Sequence, residues 1–132
     1  MKNNIIKEYG VVHDNMIISY MVDFEKQILQ INTKNYDDEK IIIRFQGLLA
    51  HAFENVILNN IILEIYQVKI EHFLLDKANK LSETLKYGFP TIGVSNVREL
   101  GDYLKENRYR VFYLTASLGM CGYIIAKEII LQ

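Results

Sequence analysis

The sequence predicts an α+β domain, an antiparallel β-sheet with two helices packed on one face. Three observations predict it. Runs rich in Ile, Val, Tyr and Met occupy the first half and the last quarter of the chain. A stretch with helical apolar spacing lies between them and is closed by Gly88 and the only proline, Pro90. A capping pattern, Asn96 followed by Glu99, opens a second helix. Strands, then helices, then strands again is the order expected when helices gather on one face of an antiparallel sheet.

Residues 11–22 alternate imperfectly, charges at Asp23 and Glu25 interrupt them, and residues 27–33 resume the alternation, which reads as a β-hairpin. A polar turn at 35–39 leads into residues 41–45, apolar enough for a strand buried on both faces or shielded by a helix. Gly47 ends or bulges that strand. Residues 48–58 carry Leu48, Ala52 and Val56 at helical spacing but are short for an independent helix, so a helical turn or irregular excursion is expected there. Residues 61–70 form the next strand, with Leu63 and Ile65 on one face and Glu64, Tyr66 and Val68 on the other.

Residues 70–87 then place Phe73, Leu74, Ala78, Leu81 and Leu85 on one side of a helix and Lys77, Lys80, Glu83 and Lys86 on the other. Gly88 suits the left-handed residue after the helix, and Pro90 prevents its resumption. Val97, Leu100 and Leu104 make the apolar face of the second helix, ending near Asn107. Two final strands, 110–116 and 120–131, are joined by a turn at 117–119.

The 132 residues suit a single domain, 1–132, with one core. Half are apolar and 23% charged, a globular composition, and no apolar run approaches a membrane span. Lys7 and Glu8 interrupt the N-terminal stretch after only two apolar residues, so no signal-peptide core is expected. The single cysteine, Cys121, has no internal disulfide partner, and the expected location is the cytoplasm. Abundant Ile, Asn, Lys and Tyr with no Trp is what AT-rich coding produces, pointing to a low-GC bacterial source. With 15 basic and 16 acidic residues interspersed, no basic patch stands ready for phosphates, which argues against nucleic acid as a partner.

The tightest polar constellation is His51 with Glu54. Three apart in a helical turn, they would share a face, as a general base and its orienting carboxylate do. The plainer expectation is a buried or half-buried His51 bonded to backbone with Glu54 exposed. A zinc site needs a third and a fourth ligand, and nothing in the sequence brings His13 or His72 to His51, so no metal is expected. Cys121 has no local activator and reads as a small buried apolar residue. Ser117-Leu118-Gly119 shares part of a nucleophile elbow but lacks the glycine before the serine. Gly88, Gly93 and Gly101 match no nucleotide-binding spacing, and no cofactor is expected.

The stretch IIIRFQGLLAHAFEN at 41–55, the following NNIILEIYQV and the closing YRVFYLTASLGMCGYIIAKEIIL resemble small uncharacterised proteins of low-GC bacteria. Some of these are similar to immunity proteins of polymorphic toxin systems, compact cytoplasmic α+β domains that bind and block a cognate toxin. The resemblance implies a non-enzymatic protein-binding function and no catalytic residues. Candidate contacts are the acidic turn Asp37, Asp38 and Glu39 with the tyrosines Tyr36 and Tyr87, since aromatic anchors beside charge suit an interface. The alternatives are a small enzyme using His51 and Glu54, or a self-associating structural subunit.

Overall fold

The computed structural model describes residues 10–132. Its strands are β1 (Met16–Asp23), β2 (Ile28–Lys34), β3 (Lys40–Gln46), β4 (Ala50–Glu54), β5 (Asn60–Val68), β6 (Arg110–Leu118), β7 (Cys121–Ala126) and β8 (Glu128–Leu131). All pairings are antiparallel, in one eight-stranded sheet ordered β4-β7-β6-β5-β1-β2-β3-β8. Three α-helices are described, α1 (Ile70–Asp76), α2 (Ala78–Thr84) and α3 (Val97–Glu106), with a 3-10 turn at Leu85–Tyr87.

The sheet curls on itself. β3 continues into β4 across residues 47–49, and β7 continues into β8 through Lys127 alone. Because β3 pairs with β8 and β4 with β7, the four make one bent two-stranded ribbon. Lys127 N donates to Gln46 O at 2.9 Å on one side of the bend, and Leu49 N donates to Ile125 O at 2.8 Å on the other. Gly47 sits at the corner with φ +66, and a Cβ there would lie 2.9 Å from the Lys127 stem, so glycine satisfies both the turn and the close approach. The ribbon joins the two ends of the strand order. Inner side chains from six strands, among them Ile17, Leu29, Ile31, Phe45, Ile62, Phe112 and Ile124, fill the enclosed core.

The helices cover the outer face of β5, β6 and β7. Phe73, Leu81, Leu85, Leu100 and Leu104 pack on Val111, Tyr113, Tyr123 and Ile125, forming a second cluster on the far side of the sheet from the first. The expectation of helices on one face holds, with three α-helices where two were expected. The stretch 70–87 divides at Lys77, whose φ −108 and ψ 13 leave the helical region. Asp76 and Lys77 both engage Tyr113 at that break. Gly88 is left-handed as expected, φ 84. Asn96 Oδ1 accepts from Glu99 N at 2.9 Å, capping α3, while Glu99 Oε1 accepts from Ser95 N rather than from the Asn96 amide.

Other expectations need correction. Residues 48–58 hold strand β4, because pairing with β7, some seventy residues later, outweighs the weak helical spacing. The first strand begins at Met16, and the last is two strands separated by Lys127. Leu63 does not share the inner face with Ile65: a register shift between Ile62 and Glu64 leaves Ile62 and Ile65 buried and turns Leu63 outward.

Candidate functional site

His51 and Glu54 do not share a face. In strand β4 successive side chains alternate faces, so residues three apart point to opposite sides. His51 lies opposite Ile124 and Glu54 opposite Cys121. His51 is half-buried and Glu54 exposed, but among the described residues no backbone bond holds the imidazole; its ring lies 5.1 Å from that of Phe53, which meets Tyr20 edge-on at 5.6 Å. Burial lowers the His51 pKa below its ordinary 6.5. Among the described residues no group of three or more His, Cys, Asp or Glu is arranged to hold a metal ion. Cys121 is partly exposed rather than buried, with its Sγ 3.9 Å from Asn55 Nδ2.

A titratable cluster lies where α1 meets the sheet. Tyr113 Oη donates to Asp76 Oδ2 at 2.7 Å, Lys77 Nζ lies 3.7 Å from the same carboxylate, and the Tyr66 and His72 rings lie 5.8 and 6.2 Å from that of Tyr113. Burial first, and then the Asp76 carboxylate, push the Tyr113 phenol far above its ordinary range. The Tyr113 hydrogen bond holds Asp76 below the usual carboxylate range. A phenol kept protonated and donating to a carboxylate is a fastening, not a nucleophile or base at neutral pH.

The acidic turn is built as a rigid display. Asn35 Oδ1 accepts from the amides of Asp37 at 2.8 Å and Glu39 at 3.0 Å, and Asn35 Nδ2 donates to Glu39 Oε1 at 2.9 Å. Asp38 takes the left-handed conformation, φ 59, that closes the turn. Tyr36 is 94% exposed at its tip beside Asp37 and Asp38. Tyr87 is exposed as well, but it stands in the helical layer, away in sequence and element from the turn.

A second surface escaped the sequence reading. The buried Asn60 side chain accepts from Ile57 N at 3.1 Å and Met120 N at 2.9 Å and donates to Ile57 O at 2.7 Å, fixing loop 55–59 against the β6–β7 turn. Gly119, φ +81, is needed there because a Cβ would strike Asn60 Oδ1. The loop so held presents Val56, Ile57 and Leu58, the last 93% exposed. Asn60 pairs with Ile17 and Ile61 with Met16, which places this loop beside the exposed Met16 and Ile18 of β1. Ile61 also pairs with Leu118, another exposed apolar side chain. Met16 lies between the two surfaces, since its other partner is Lys34, from which the acidic turn springs. The run Val56-Ile57-Leu58 between Asn55 and Asn59-Asn60 was the available signal: three apolar residues bounded by turn formers.

No helix among the described residues is long and apolar enough to cross a membrane. Compared with known proteins, the chain matches no family model, no curated protein and no solved structure.

Proposed function

We propose that the chain is a non-enzymatic protein-binding domain of the immunity type, acting in the bacterial cytoplasm by binding and blocking a toxin. The observation that carries this reading is the apolar rim around the Ile17 and Asn60 pair, where Met16, Ile18, Val56, Ile57, Leu58 and Leu118 stand exposed on well-braced backbone. Contiguous exposed apolar side chains on a soluble domain mark interaction sites. Bracing by Asn60 lowers the ordering that binding would otherwise require. The acidic turn with Tyr36, across Met16 from the loop, would speed the approach of a basic partner more than it would hold it.

An enzyme built on His51 and Glu54 is less well supported, because the two side chains face opposite ways. A self-associating subunit would use the same rim, and the test separates it. Wild type, Leu58→Asp and an Asp37, Asp38, Glu39 triple-alanine variant would be used to capture proteins from native lysate, alongside sedimentation of the purified chain. A partner held by wild type, lost with Leu58→Asp and associating more slowly at low salt with the triple variant is the expected result. No partner at any salt concentration, or a Leu58-dependent dimer of the chain alone, would overturn the reading.

A further inference from the structure

We draw no further inference here: the strongest candidate, the exposed apolar surface patch that Met16 and Ile18 of β1 form with Val56, Ile57 and Leu58 of the loop before β5, belongs to the surface already described, and nothing in the structure shows what covers it.

Discussion

Tyr113 Oη donates to Asp76 Oδ2 at 2.7 Å across the junction of α1 and β6, the one side-chain hydrogen bond described between the helical layer and the sheet. The bond sits on a mixed boundary. Tyr113 is almost wholly buried, Asp76 is largely in solvent, and Lys77 reaches over the ring with its Nζ 5.6 Å from the centroid. The helix break at Lys77 and the fastening of the helix are therefore one local event.

Tyr113→Phe keeps the ring and removes the donor, and should destabilise the fold by about 1–2 kcal/mol at neutral pH. The effect should depend on acid in a defined direction. Asp76 has a lowered folded-state pKa, so its contribution is complete above the ordinary carboxylate value and is lost as pH falls through the folded one. Denaturant unfolding of wild type and Tyr113→Phe at neutral pH and below about pH 3 should show the gap between them closing. A gap constant with pH would mean that the phenol acts by packing alone.

Leu81→Ala should destabilise by about 2–5 kcal/mol, since Leu81 is 1% exposed and enters the cluster beneath α2. Chemical denaturation measures it. A loss under about 1 kcal/mol would place the helical layer elsewhere.

Asn60→Ala should destabilise by about 2–4 kcal/mol, because it strands the Ile57 and Met120 amides and the Ile57 carbonyl together. Amide exchange should quicken at Ile57 and Met120 before the rest of the sheet opens. Gly119→Ala should disturb the same place through its left-handed backbone and the Asn60 contact. If Asn60→Ala leaves exchange at Met120 unchanged, the loop is held by something else, and its preorganisation for binding loses its physical basis.

The parts of this fold legible in the sequence are those fixed by neighbours along the chain. The β1–β2 hairpin, the stop at Gly88 and the Asn96 cap each depend on a few adjacent residues, and each is found, the hairpin with its first strand starting later than expected, at Met16. β4 was not legible, because the five residues Ala50–Glu54 become a strand only by meeting β7. The same holds for the bend at Lys127: the charges Lys127 and Glu128 interrupt the apolar run there, but nothing local says that the strand changes partners from β6 to β3. Tyr36 and the acidic turn were readable as an exposed feature. The apolar rim was not, since Ile18 and Leu58 come together only through the pairing of Ile17 with Asn60.

His51 supplies the last prediction. Its imidazole is half-buried against Phe53, and burial lowers its pKa, so the folded state resists the proton that the unfolded chain accepts near its ordinary 6.5. The sign follows: the contribution is complete above the unfolded value and is lost as pH falls through the folded one, at no more than about 1.4 kcal/mol per pH unit for one group. Melting temperature should fall more between pH 7.5 and 5.5 in wild type than in His51→Phe, where the ring stays and the titration goes. Nuclear magnetic resonance titration of the His51 ring gives the independent check, with a midpoint below 6.5 expected. A midpoint above that value would reveal a negative partner for the imidazolium, and would restore His51 as a candidate for chemistry.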